Sequence, residues 1–413
     1  MKKVLLGTSA IALAAATSAN AAEWNVKVGG YHNQMVAFAS SDQDNNTGAD
    51  FDGVDVKQNA EIFFLPSITL DNGLKFGANV QLESAGGTGT PDTIDESYLY
   101  VRGSFGEINL GSENSAGYKM TYGAPNKAII AFNSPSTDQY IPWTGNGAGN
   151  GIFRSTLGST FIENDRNNDA DRITYYTPRF AGFQVGVSYA RDGLQDTNGQ
   201  QDINAGGTLS DIFDIGANYV NDFGGVNVAL SARWGIASKE GADAVAASPT
   251  VFTNAAGVVT VDPTGGATPA GSTEIVAGTA ASAAGASTDP TVLAFGANVG
   301  FGGFTIGGSW AEQNDSGNND GTAFDVGVSY ETGPWGFSAV WFHGENVDDD
   351  QGFASGLDEE QDTFGIGIDY KLAKGVRLNA FGAYVDFSED DPAAATNRDT
   401  DGFIIGTGIG LSF

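Results

Sequence analysis

The stretch Phe403-Ile404-Ile405-Gly406-Thr407-Gly408-Ile409-Gly410-Leu411-Ser412-Phe413 decides the fold. Every second residue back from the end gives Phe413, Leu411, Ile409, Thr407, Ile405 and Phe403. The intervening set is Ser412, Gly410, Gly408, Gly406, Ile404 and Gly402. One face is almost wholly apolar and the other is mostly glycine. A period of two over this length means a strand with two unlike faces. The sequence stops inside that strand on an aromatic residue. This predicts a strand that must pair with another strand at the far end of the chain.

The same texture recurs upstream. In Leu74 to Glu83 the residues Leu74, Phe76, Ala78, Val80 and Leu82 alternate with Lys75, Gly77, Asn79, Gln81 and Glu83. In Val226 to Ile236, Val226, Val228, Leu230, Ala232, Trp234 and Ile236 alternate with Asn227, Ala229, Ser231, Arg233 and Gly235. Phe364, Ile366, Ile368, Tyr370 and Leu372 repeat it against Thr363, Gly365, Gly367, Asp369 and Lys371. The alternation predicts about sixteen strands: 23–38, 54–70, 74–84, 95–103, 107–113, 170–177, 183–191, 209–220, 226–238, 291–300, 304–313, 321–330, 335–345, 361–372, 376–387 and 401–413. Its phase is ambiguous at Tyr98 to Arg102 and at Trp335 to His343, where both faces carry apolar residues, and it slips near Gly29-Gly30, as a bulge would make it do.

Two kinds of connection alternate along the chain. Tight turns such as 71–73, 104–106, 221–225, 301–303 and 373–375 follow one strand. Long stretches rich in acids, Asn, Gly and Ser follow the next: 39–53, 85–94, 114–169, 192–208, 239–290, 314–320, 346–360 and 388–400. An even set of antiparallel strands with short turns at one end and long loops at the other is the pattern of a transmembrane β-barrel. In lipid every backbone amide must be paired within the protein, so strands survive there only in a closed barrel. The fold class is therefore all-β, a transmembrane antiparallel barrel of about 16 strands with short periplasmic turns and long extracellular loops. Trp24, Tyr189, Tyr219, Trp234, Trp310, Tyr330, Tyr370 and Tyr384 fall near strand ends and read as interfacial girdles.

Lys2 and Lys3, the apolar run Val4 to Ala16 and the small residues Ala19-Asn20-Ala21 predict a cleaved secretory signal peptide over 1–21, with the barrel over 22–413. Removing two lysines and no acids takes the net charge from −31 to −33. Fifty acids against nineteen bases argue against nucleic-acid binding. With no Cys and two histidines (His32 and His343), the chain has little to offer nucleophilic, histidine-based or zinc chemistry. Neither histidine lies in a nucleophile motif, and the glycine-aspartate nonapeptide of calcium-binding repeat proteins is absent. No enzyme activity and no cofactor are expected, apart from calcium.

The segments Asp95 to Gly111, Asp171 to Tyr189 and Phe403 to Phe413 resemble those of the Gram-negative general porins, in particular the α-proteobacterial type. The resemblance covers essentially the whole chain after residue 21. It implies a homotrimer in the outer membrane, passive diffusion of small hydrophilic solutes and ions, and a third loop, here 114–169, folded into the pore. It also implies contact with outer-membrane lipid and lipopolysaccharide, and recognition of the C-terminal strand by the barrel insertion machinery, with Phe413 as an assembly signal. The Pro-Glu-Phe tip common in that loop is missing here.

Alternation places Lys27, Lys57, Arg172 and Arg233 on the lumen face as a basic wall, with Lys75, Lys371 and Arg377 nearer the periplasmic mouth. In the family an acidic third loop faces such a wall, and the residues expected in that role are Asp138, Glu163 and Asp165. The excess of acid predicts a preference for cations. Asp42, Asp44, Asp348, Asp349 and Asp350 are candidate calcium ligands, since carboxylates are hard oxygen donors. The segment 239–290, rich in Ala, Gly and Thr, reads as a long surface loop. The alternative function is a substrate-specific outer-membrane channel, for example for sugars or organic ions, with Tyr140, Trp143 and Phe153 as an aromatic track.

Overall fold

A computed structural model describes residues 23–43, 52–83, 94–132, 137, 140–141, 169–193, 209–239, 249–253, 258–262, 273–276, 289–314, 320–347, 359–389 and 399–413. Among the described residues the strands are β1 (Asn25–Gln43), β2 (Gly53–Thr69), β3 (Lys75–Glu83), β4 (Ser97–Gly103), β5 (Gly106–Ser112), β6 (Asp171–Tyr176), β7 (Phe183–Asp192), β8 (Leu209–Asp222), β9 (Val226–Lys239), β10 (Thr250–Thr253), β11 (Val259–Asp262), β12 (Thr273–Val276), β13 (Thr291–Phe301), β14 (Phe304–Asn314), β15 (Asp320–Thr332), β16 (Trp335–Val347), β17 (Glu359–Ala373), β18 (Val376–Glu389) and β19 (Thr400–Ser412), with a short helix, α1 (Ala116–Lys119).

Sixteen of these strands form a closed antiparallel barrel in which each pairs with its neighbours in sequence, β9 passing directly to β13. The last strand does pair with the first: β19 runs against β1 from Tyr31↔Ser412 to Gln43↔Thr400. Beyond it, Gly30 and Phe413 exchange two backbone hydrogen bonds of 3.1 Å. Closure satisfies the ladder groups that an open edge would leave in lipid.

The outward face is apolar and ringed by aromatic pairs. Near the short turns lie Phe183–Tyr219, Phe304–Tyr330 and Trp335–Tyr370, with ring centroids 4.5, 4.3 and 4.6 Å apart. Toward the long loops lie Phe213–Trp234, Phe295–Trp310, Phe324–Trp341 and Trp341–Phe364 at 6.3, 6.1, 5.0 and 6.0 Å. Amphipathic rings at both ends of an apolar band are what two membrane–water interfaces select.

The structure resolves both ambiguous phases. Tyr98, Tyr100 and Arg102 pair with Asn79, Gly77 and Lys75 on the inward face, leaving Leu99 and Val101 outward. In β16, Trp335, Phe337 and Trp341 are exposed, whereas Val340 and Phe342 are buried inside the barrel. Near Gly29-Gly30 there is no slip, because β1 keeps one register with β2 from Asn25 to Ala39. The pattern looks broken in sequence because His32 and Gln34 share the outward face of Val36. A further difference lies within 239–290. The composition reads there as a plain surface loop, yet β10, β11 and β12 form a separate three-stranded sheet in the order β11-β10-β12.

Candidate pore constriction

After β5 the chain does not return at once to the wall. Ser115 caps α1 by accepting a hydrogen bond from the Tyr118 backbone N–H at 3.3 Å. The chain then runs without regular secondary structure to Phe132, bending at 128–130. Along the way its backbone N–H groups are taken up one after another by inward side chains of the wall. Ala116 donates to Ser188 on β7 at 3.1 Å, Gly117 to Asp214 on β8 at 2.6 Å, and Tyr122 to Ser231 on β9 at 2.9 Å. Ala124 donates to Asp325 on β15 at 3.1 Å, Lys127 to Ser338 on β16 at 2.8 Å, and Ile129 to Asn379 on β18 at 2.8 Å. Asn379 returns a bond to the Lys127 carbonyl at 2.7 Å. A segment without its own secondary structure must find partners for buried amides, and this one finds them in Ser, Asp and Asn of the barrel.

Chain length decides that the contact is on the inner surface. From β8 to β18 there are seven strand spacings, about 34 Å along the wall. The twelve-residue path from Gly117 to Ile129 reaches at most about 40 Å. On the outer surface the arc would be longer than the wall itself. Inside, it is shorter.

The glycine face acquires its reason here. A side chain at Gly296 would collide with the Tyr122 carbonyl, and one at Gly367 with the backbone of Ala128. At these positions the bare wall leaves room for the inner segment rather than for water. The far end of the segment is held by apolar packing: Ile130, Phe132, Tyr140 and Ile141 join Met35, Ala37, Val340, Phe381, Val385 and Ile404 in one buried cluster.

The two ends of the described segment touch the remaining wall. Lys119 bridges to Glu113 at 2.7 Å and to Glu96 at 3.3 Å, and lies 4.8 Å from the ring of Tyr98. Burial alone would lower its pKa, but Glu113, Glu96 and Tyr98 outweigh it and hold the ammonium above the usual lysine value. Lys57 lies 5.7 Å from the centroid of Tyr140. Burial, with a smaller contribution from Asp55, pushes the Tyr140 phenol up to about 12. Between these contacts lies the inward face of β2 to β4, with Asn59, Glu61, Lys75, Asn79, Gln81, Tyr100 and Arg102. Lys75 and Arg102 flank Tyr100 at 5.9 and 4.4 Å.

The residues expected as a basic wall occupy three different settings. Lys27 is exposed on the inward register of β1, near the short-turn end. Lys57 is part-exposed and paired with Asp55 at 2.5 Å. Arg172 and Arg233 are inward but sealed, at 4% and 3% exposure. Arg233 is bonded to Asp214 at 2.8 Å and to Ser115 at 3.3 Å, so it clamps the start of the inner segment instead of offering charge to water. Asp138, Glu163 and Asp165 lie outside the described residues. So do Asp44 and Asp348 to Asp350, while Asp42 faces outward opposite Asp401. Sequence reasoning missed Lys119 and Lys127, because a segment without periodicity gives no facing. It also missed Tyr98, Tyr100 and Arg102, because their phase was ambiguous.

A closed transmembrane barrel with a segment laid across its interior is the architecture of an outer-membrane channel. The profile of the Gram-negative porin family matches residues 7–390, and the chain belongs to that family. An uncharacterized protein of Rickettsia conorii is 25% identical over 234 residues, covering 49% of this chain and 51% of its own length. The chain thus spans about half the length of the curated relatives it matches. Among solved structures, the anion-selective porin from Comamonas acidovorans superposes with a TM-score of 0.52 at 17% identity, over 95% of this chain and 100% of that one. The trimer form of OmpT, an outer membrane protein of Vibrio cholerae, gives 0.53 at 14% identity, over 94% and 99%. The outer membrane channel DcaP of Acinetobacter baumannii gives 0.54 at 12% identity, over 94% and 97%. At these identities the likeness is one of fold. Family and fold together indicate a channel rather than an enzyme.

Proposed function

We propose that the chain forms a water-filled pore for passive diffusion of small hydrophilic solutes and ions, with a preference for cations. The observation that carries this reading is the inner segment, which is hydrogen-bonded to inward side chains of β7, β8, β9, β15, β16 and β18 and so narrows the lumen. In a pore of this kind selectivity comes from diameter and lining charge. The formal net charge of −31 favours cations at the mouth. Asp138 is the proposed acidic partner of that wall. Single-channel conductance with a salt-gradient reversal potential tests the reading: cation selectivity is expected, and Asp138→Asn should reduce it. Anion selectivity would overturn it.

The alternative, a substrate-specific channel, draws support from Tyr98 and Tyr100, two rings on the inward face of β4 beside the cationic side chains of Lys119 and Arg102. Liposome swelling with solutes of graded size separates the two, since a general pore discriminates by size.

Assembly as a homotrimer is part of the same proposal. Strands β4, β5 and β6 have 7, 7 and 6 residues, shorter than the 9–11 that span a bilayer. On adjacent β1 and β2, His32, Gln34 and Gln58 share the outward face at mid-strand. Polar groups there are costly in lipid, and neighbouring copies would cover both features. Residues 1–21 are the proposed cleaved export signal. N-terminal sequencing of the mature protein should begin at Ala22.

A further inference from the structure

Between Lys239 and Lys371 the sequence contains no lysine or arginine, and His343 is the one basic side chain in that span. Its outward face on β16 and β17 nevertheless gathers three carboxylates around that histidine. His343 is paired across the ladder with Asp362, and Glu345 with Glu360, two like charges directly opposite each other. The group sits one step above the Trp341–Phe364 pair, at the level where the aromatic band gives way to polar surface.

The histidine is oriented. Trp341 Nε1–H donates to Asp362 Oδ1 at 2.6 Å, and His343 Nδ1 lies 3.2 Å from the same oxygen. A carboxylate accepts only, so Nδ1 carries the hydrogen toward Asp362 and Nε2 is left facing the other two carboxylates. Glu345 Oε1 lies 3.2 Å and Glu360 Oε1 3.7 Å from Nε2. Three carboxylates around one ring repel one another, and the arrangement is held only by a positive charge, a proton on Nε2 or a metal ion in its place.

We propose that His343, Glu345 and Glu360 form a site for a borderline divalent transition metal of the zinc class. Asp362 and Trp341 act as positioning residues. Ligand bonds of 2.0–2.2 Å in a tetrahedron put ligand atoms about 3.3–3.5 Å apart; the two distances from Nε2, 3.2 and 3.7 Å, bracket that spacing, and both glutamate side chains are about half exposed and able to close in. One nitrogen with two oxygens suits this class better than calcium, which takes oxygen ligands in larger number. A carboxylate on the far ring nitrogen is the usual support of a metal-bound histidine. The fourth position is open to water.

The test is calorimetric titration of the full chain, folded in detergent, with ZnCl2, alongside MgCl2. One zinc ion per chain is expected, with magnesium at least tenfold weaker. His343→Gln should weaken zinc at least about 30-fold and leave magnesium unchanged. Asp362→Asn should weaken zinc about tenfold, as loss of such a support does. His32→Gln should change nothing. Cobalt(II) should bind with the absorption of a nitrogen-ligated tetrahedral ion. If His343→Gln does not fold, the Glu345→Gln/Glu360→Gln pair, at the exposed rim, carries the same expectation. Zinc binding that survives these changes, or zinc binding no stronger than magnesium, would reduce the site to a plain acidic rim and overturn the proposal. Absence of zinc binding, with His343 protonated at neutral pH by NMR, would show that a proton fills the site and would overturn the proposal equally.

Discussion

At the scale of single residues, the decisive groups bind the inner segment rather than face the solute. Arg233 and Asp214 form an ion pair with side chains 2% and 3% exposed. Removing one partner of such a pair leaves a buried charge and costs about 3–5 kcal/mol. Arg233→Ala is therefore expected to release the start of the inner segment and raise single-channel conductance, with a lowered melting temperature by circular dichroism. A substitution at Gly367 acts at the other end of the same path. Val there must displace the Ala128 backbone, so Gly367→Val is expected to destabilise the inner segment while leaving barrel strand content unchanged. Phe413, whose backbone is bonded to Gly30, is the residue proposed as an assembly signal. Its deletion is expected to impair membrane insertion far more than the conductance of the molecules that insert, measured by outer-membrane yield against bilayer recording.

Among the elements, the inner segment is the one with two kinds of fastening. Its first half is held by hydrogen bonds and the Lys119–Glu113 ion pair, its second half by apolar packing around Phe132 and Tyr140. Both fastenings contain a group whose pKa is raised by folding. For such groups the stabilisation is complete below the unfolded pKa, about 10 for each, and is lost as pH rises through the folded value. The segment is thus expected to stay fixed from neutral pH to about pH 10 and to loosen toward pH 12, seen as rising and noisier conductance before loss of β-sheet circular dichroism. Lys119→Met, which removes the ammonium but leaves Glu113 buried, should bring that loosening to neutral pH. The strands themselves were legible in the sequence because alternation survives wherever one face meets lipid. The small sheet of β10 to β12 was not, because four-residue strands in an Ala- and Gly-rich stretch carry too little pattern.

For the whole molecule, charge is distributed unevenly around the cylinder. From β10 to β16 there is no lysine or arginine, while Lys27, Lys57, Lys75 and Arg102 lie on the inward face of β1 to β4, and the inward Lys371 and Arg377 of β17 and β18 are at the short-turn end beside Glu331 and Asp369. A transverse field across the lumen follows from this asymmetry. It should fall with salt, since screening acts over about 10 Å at 0.1 M. Cation preference is accordingly expected to shrink between about 0.1 and 1 M KCl, measured by reversal potential. Chemical cross-linking in detergent checks the trimer, with cross-links expected to map to β1 through β6, where the wall is shortest.

The sequence by itself determined that this is a closed barrel: alternation, turn spacing and the need to pair every amide in lipid leave no other solution, and Phe403 to Phe413 against the first strand completes it. It also determined which residues point inward wherever the outward face was apolar. Only the tertiary structure decided what the inward residues do. Lys57, Arg172 and Arg233 carry the same alternation signature, yet Arg233 is a buried clamp and Lys57 borders the lumen. The difference comes from contacts between residues far apart in the chain, such as Gly117 with Asp214 and Ile129 with Asn379. Periodicity reports the direction of a side chain from its own strand. It holds no information about a distant segment that lies on top of it.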